Sequence, residues 1–182
     1  KSLYDQKKYS SALKIYKKVG DKDGVNKTEN KLKMVALYKQ AKKEYENELY
    51  LTALNTVEKI EDYSPAETLK KEIEDEINRL KPDVPNVGEF YDVTESADYG
   101  FARVRVDWDE VSPADGYEYY ATSNYDITSS NGVLYYAHFT AGIYNPNVRL
   151  TFKVRAYREV NGERIYGDWS RVVTIAFTCS AS

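Results

Sequence analysis

Apolar positions in the first part of the chain recur every three or four residues, and in the second part they recur every two. Leu69, Ile73, Ile77 and Leu80 fall on one helical face, while Glu72, Glu74, Asp75 and Glu76 take the other. Ser64-Pro65-Ala66-Glu67 ahead of them is a capping box with proline at the first helical position, so a helix is expected from there to about Leu80. A longer helix is expected from about Gly24 to Glu46. Further on, Ala102, Val104, Val106 and Trp108 alternate with Phe101, Arg103, Arg105 and Asp107, the two-residue period of a half-buried strand. Tyr117 and Tyr119, then Leu150, Phe152, Val154 and Ala156, then Val173, Ile175 and Phe177 repeat it. Turns are expected at Ser130-Asn-Gly132, Asn145-Pro146 and Asn161-Gly162. Several short strands without helical patterning argue for an antiparallel β-sandwich, and the fold class is a multidomain α + β chain.

The pattern changes at Lys81-Pro82-Asp83-Val84-Pro85. Two prolines disfavour helix and make a short, stiff, extended connector. The expected division is 1–81 helical, 82–86 linker, 87–178 strands and 179–182 a tail. Composition changes at the same point: of the 18 basic residues up to Lys81 all but Arg79 are lysine, whereas of the 8 that follow all but Lys153 are arginine. Net charge is +3 for the first part and −6 for the second. Neither value gives the electrostatic stripe of a nucleic-acid binder.

The helical part carries an internal repeat. Tyr9-Ser-Ser-Ala12-Leu13 returns as Tyr50-Leu-Thr-Ala53-Leu54 at an offset of 41 residues, and Tyr4, Val19 and Asp21 return as Tyr45, Ile60 and Asp62. A period of this size built on an aromatic, a small and an apolar residue points to stacked helical hairpins. With Leu37, Tyr38, Ala41, Tyr50, Ala53, Val57 and Pro65 at matching places, this region resembles a degenerate tetratricopeptide repeat. It departs from that family in a period longer than ~34 residues and in Val19 and Ile60 where a small residue is usual. In the second part, Val106-Asp-Trp108, Ala114-Asp-Gly-Tyr117, Phe152-Lys-Val-Arg-Ala-Tyr157 and Tyr166-Gly-Asp-Trp-Ser170 resemble a bacterial fibronectin type III domain. Leu150 stands where that family often has a tyrosine that pins a corner through its hydroxyl.

One cysteine, Cys179, and one histidine, His138, leave no intrachain disulfide and no Cys/His zinc set, so no cofactor or metal is expected. His138 reads as structural, because no partner for catalysis is visible in the sequence. Asp107, Asp109, Glu110 and Asp115 cluster around one turn, but no calcium-loop pattern follows and they read as solvated surface. No phosphate-cradling glycine loop or hydrolase motif occurs, so the chain is not expected to be an enzyme. No apolar stretch approaches the ~18–20 residues needed to span a bilayer, and no signal peptide is present. Because the chain opens at Lys1 midway through the repeat, it is expected to be a fragment, and the lack of a targeting segment says nothing of the parent protein.

Tyrosine is the compositional anomaly, with 18 in the chain. It offers contact area and a polar tip at low entropic cost, and it also simply suits strands. The adjacent pairs Tyr119-Tyr120 and Tyr135-Tyr136 are expected to point to opposite faces of strands. Tyr157, Arg158, Arg164 and Tyr166 around the Asn161-Gly162 turn form one candidate contact surface, and Tyr38, Lys42, Tyr45 and Lys17 line a candidate helical groove that could hold an acidic peptide. Trp169, near the start of the last strand, is expected to stack on Arg155 or Arg171. The resemblances imply a non-catalytic binding or spacer module of a bacterial surface or secreted protein, contacting protein or glycan. The alternatives are an intracellular or envelope scaffold whose repeats bind a protein, and an accessory region of a larger enzyme.

Overall fold

The structure, a computed structural model, describes residues 2–94, 102–124, 130–143 and 148–177. Cys179 and the tail, Phe101, Asn145-Pro146, Tyr99, Tyr125 and Tyr144 lie outside them. The chain forms two compact units: one is built from the helices up to Arg79 together with Val160–Glu163, and the other begins at Leu80.

The first unit holds α1 (Ser2–Val19), α2 (Lys22–Glu46), α3 (Tyr50–Glu58) and α4 (Ser64–Leu80). Asp21 caps α2, its carboxylate accepting from the Gly24 N–H at 3.0 Å. Val35, Ala41, Ala53, Val57, Ile60, Leu69 and Ile73 form the core. Leu69, Ile73 and Leu80 are buried as the helical period requires, and Ile77 packs on the core half-buried. The 41-residue correspondence spans unlike backbone. Tyr4 and Tyr9 lie within unbroken α1, whereas Tyr45 and Tyr50 flank a turn in which Glu48 has φ 58°. Leu49, at the N-cap of α3, offers no side-chain acceptor. Glu163 fills that role within the same unit, accepting from the N–H groups of Leu51 at 2.8 Å and Thr52 at 2.9 Å and from the Thr52 hydroxyl. A carboxylate there also opposes the positive end of the helix dipole. Among the described residues, no helix is long and apolar enough to cross a membrane.

The second unit is antiparallel sheet. Its strands, together with the turn residues shared with the first unit, run β1 (Tyr91–Asp92), β2 (Ala102–Asp107), β3 (Gly116–Ser123), β4 (Ser130–Leu134), β5 (His138–Ile143), β6 (Val148–Val160), β7 (Glu163–Tyr166) and β8 (Val173–Phe177). One sheet has the order β1-β2-β5, and the other has β4-β3-β6-β7 with β8 also on β6. Both sheets feed one core: Val104 and Val106 come from β2, Ile143 from β5, Tyr117 and Ala121 from β3, and Phe152, Val154 and Ala156 from β6. Their alternation with half-buried or exposed neighbours is the two-residue period seen in the sequence.

Trp108 ends this pattern inside the core at 6% exposure. Its ring meets Tyr117 edge-on at 5.4 Å and lies stacked with Phe152 at 5.7 Å. The Tyr117 hydroxyl accepts from the Val111 N–H at 2.9 Å and so fixes the loop after Trp108. Leu150, at the place of the expected corner tyrosine, is buried, and the nearby chain is joined by Asn124, whose side chain accepts from the Arg149 N–H at 2.5 Å.

Three expectations change. Ser130-Asn-Gly132 is not a turn but the start of β4. Gly132 is needed because the Tyr119 ring lies across it, 2.8 Å from where a Cβ would stand. Tyr135 and Tyr136 are not on a strand. They lie between β4 and β5, and both are exposed. Within the extended 82–86 segment, Pro82 and Pro85 are buried. The segment is tied to its own unit by Lys81 to Asp168 at 2.7 Å and by the Arg171 guanidinium donating to the Val87 carbonyl at 2.7 Å. Trp169 precedes the last strand by several residues, β8 beginning at Val173. The Asn161-Gly162 turn is present, with φ 48° and 83°, the positive values that a two-residue hairpin of type I′ demands.

Replacing Trp108 by Ala removes a ring shared by both sheets and is expected to cost ~3–5 kcal/mol in denaturant unfolding. A loss below ~1 kcal/mol would contradict the placement of this ring in the core.

Candidate functional site

The core residues of β3 and β6 dictate what stands on the opposite face of the larger sheet. With Tyr117, Tyr119 and Ala121 turned to the core, Glu118, Tyr120 and Thr122 face away. With Leu150, Phe152 and Val154 turned inward, Arg149, Thr151, Lys153 and Arg155 face away as well. The register sets Tyr120 opposite Lys153, Glu118 opposite Arg155 and Thr122 opposite Thr151.

Aromatic rings and cations interleave on this face. Lys153 Nζ lies 4.5 Å from the Trp169 ring centre and 5.5 Å from that of Tyr120. The Arg155 guanidinium lies 4.0 Å from the Tyr166 ring and 4.5 Å from Trp169. Such contacts stabilise by ~0.5–1 kcal/mol each at exposed sites. Arg155 is also neutralised by Glu118, its Nε donating to Oε2 at 2.6 Å. The Thr122 and Thr151 hydroxyls hydrogen-bond to each other. Tyr120 is 39% exposed, and Lys153, Trp169 and Tyr166 are half-buried.

The candidate turn surface divides. Tyr157, Arg164 and Tyr166 do come together, the Arg164 guanidinium lying 4.6 Å from the Tyr157 ring and the two tyrosines 5.8 Å apart. Yet Tyr157 is only 1% exposed, because its ring end lies against Gly116, and it is not a contact residue. Burial pushes its hydroxyl pKa up, and Arg164 opposes that shift. Arg164 is paired with Glu159 at 3.5 Å, and Arg158 is half-buried. The candidate helical groove residues are half-buried or exposed, and Lys17 pairs with Glu29 at 3.0 Å. Tyr38 and Tyr45 pack on the helical core, edge-on to Tyr63 at 5.6 Å and to Tyr50 at 5.8 Å, and exposed Lys42 pairs with Glu46. Trp169 takes Arg155, as expected, and also Lys153, which sequence spacing did not suggest. Arg171 is turned to Val87 and Glu89.

The carboxylates around Trp108 do not converge. The Asp107 carboxylate accepts from the Tyr91 hydroxyl and from Arg105 Nε at 2.7 Å, Asp109 accepts from Asn86 Nδ2 at 2.9 Å, and Asp115 accepts from the Glu159 N–H at 2.7 Å. No group of three or more His, Cys, Asp or Glu side chains is placed to hold a metal ion among the described residues. His138 stands opposite Asp107 across β2 and β5 and stacks on Tyr136 at 4.3 Å. A polar cleft beside it is lined by Glu110, Asp115, Tyr117, Tyr135 and Tyr136.

No protein-family model matches the chain, and no curated protein matches it. Among solved structures it is similar to one titled "Structure of FN3tt mut", with 20% identity over 52% of this chain and 93% of that one, at a TM-score of 0.37. That likeness is too slight to carry any property across.

The donors around Asp107 give a pH signature. Burial pushes its carboxyl up, but the hydrogen bonds from Tyr91 and Arg105 outweigh that and hold it below the ordinary aspartate range. A depressed native pKa contributes stability above the unfolded value of ~3.9 and loses it as pH falls through the native value. Between about pH 5 and pH 2 the wild type is therefore expected to lose stability more steeply than Asp107→Asn, read from denaturation midpoints at each pH. Parallel acid limbs would contradict this role.

Proposed function

We propose that this chain is a non-catalytic binding and spacer module of a bacterial surface or secreted protein. In this reading, tetratricopeptide-like helical repeats are followed by a fibronectin type III-like β-sandwich that contacts a protein or glycan partner. The two antiparallel sheets sharing one core, with Trp108 inside it, support the sandwich reading. The repeat reading rests on the 41-residue correspondence in sequence, whose two copies take unlike backbone around Tyr9 and Tyr50, and the localisation rests on the family resemblance alone.

The observation that carries the functional reading is the outward face of the larger sheet. A strand surface needs no aromatic there for the core, yet Tyr120, Trp169 and Tyr166 stand with Lys153 and Arg155 in one partly exposed cluster. Tyrosine, tryptophan and arginine dominate contact hot spots because they combine area, rigidity and directed polar groups. Stacking also holds these side chains in place before any partner arrives, which lowers the entropic cost of binding. This face replaces the turn patch centred on Tyr157.

A combined glycan and peptide array probed with the full chain tests the reading. Binding is expected to weaken about tenfold or more in Tyr120→Ala and to persist in Tyr91→Ala, on the other sheet. Binding untouched by Tyr120→Ala and by Tyr166→Ala would place the contact elsewhere.

A further inference from the structure

The outward row of β6 is Arg149, Thr151, Lys153 and Arg155, and its cations are not equivalent. Arg155 has Glu118 as a carboxylate partner. Among the described residues, neither Lys153 nor Arg149 forms a salt bridge. Lys153 is also the sole lysine after Lys81, in a part of the chain whose net charge is −6. The positive face therefore runs against the charge of the rest of that part. An ammonium resting against the Trp169 and Tyr120 rings gains on its ring side and keeps N–H donors for an anion from solvent.

A ligand that completes this face must bring a carboxylate to Lys153, an apolar C–H surface to Tyr120, and hydroxyls within reach of the Thr122–Thr151 pair. A sugar ring bearing a carboxylate supplies all three from one unit, whereas an acidic peptide supplies only the first with certainty. Arg149 and Lys153 are four residues apart on one strand, about 13 Å at ~3.3 Å per residue, so one chain must offer anions at successive places. We propose that the outer face of the larger sheet, centred on Lys153 with Arg149 and Tyr120, binds a carboxylated polysaccharide. This rests on the contact-face reading above and names its ligand class.

Affinity electrophoresis of the full chain through gels containing polygalacturonate, dextran or poly-L-glutamate tests it, with circular dichroism showing that each variant is folded. Polygalacturonate is expected to retard the wild type more strongly than either other polymer. Lys153→Gln and Arg149→Gln should each weaken that retardation about tenfold, the effect of one lost charge-assisted contact. Lys153→Arg should restore most of it, Arg105→Gln on the other sheet should leave it unchanged, and added salt should diminish it. Equal retardation by dextran that is lost in Tyr120→Ala would overturn the charged ligand and leave the contact face standing. Equal retardation by poly-L-glutamate that depends on Lys153 would do the same in favour of an acidic peptide. No retardation by any polymer would overturn the polysaccharide, while the array decides the face. Retardation indifferent to Lys153, Arg149 and Tyr120 alike would overturn both.

Discussion

Phe152, in the middle of β6 and 1% exposed, makes ring contacts with Phe90, Trp108, Tyr119 and Phe139. Those partners come from the segment ahead of β1, from the residue just after β2, from β3 and from β5. Phe139 is nearest at 4.8 Å and nearly parallel, and Trp108 stacks at 5.7 Å. One side chain thus joins the two sheets through aromatic pairs, each contributing ~0.5–1.5 kcal/mol beyond the area it buries. Because side chains alternate along a strand, placing Phe152 inward fixes the phase of all of β6. A one-residue slip would turn Lys153 and Arg155 into the core and Phe152 into water.

The outer face follows from that constraint. Lys153 and Arg155 flank Val154, so they must stand on the side away from the rings, where Tyr120 and Glu118 meet them across the register. Trp169 and Tyr166 then lie over the same cations from the returning chain. The cation–ring contacts that brace the sheet also hold Lys153 in position, and Arg155 has a glutamate partner where Lys153 has no salt bridge among the described residues.

Strand phase was legible in the sequence wherever one face is buried, as along Ala102–Trp108 and Leu150–Ala156, because burial imposes a period that composition displays. The helical face of Leu69, Ile73 and Leu80 was legible for the same reason. Gly132 was misread as a turn because a glycine forced by a neighbouring ring and a glycine forced by a turn look alike in a sequence. Tyr157 lies on the outward phase yet is buried, covered by Arg164 and Tyr166 from the next strand, and no period within β6 reveals that. The same limit hid Lys153 beneath Trp169. Glu163 as the cap of α3 was beyond reach, since donor and acceptor are separated by 111 residues.

The ring contact between Trp108 and Phe152 is expected to join the two sheets as an energetic unit. A double-mutant cycle with Trp108→Leu and Phe152→Leu, read from urea unfolding, measures it directly. The two substitutions are expected to be non-additive, with a coupling of ~0.5–1.5 kcal/mol. Additivity within ~0.3 kcal/mol would contradict it and reduce the stack to two independently buried side chains.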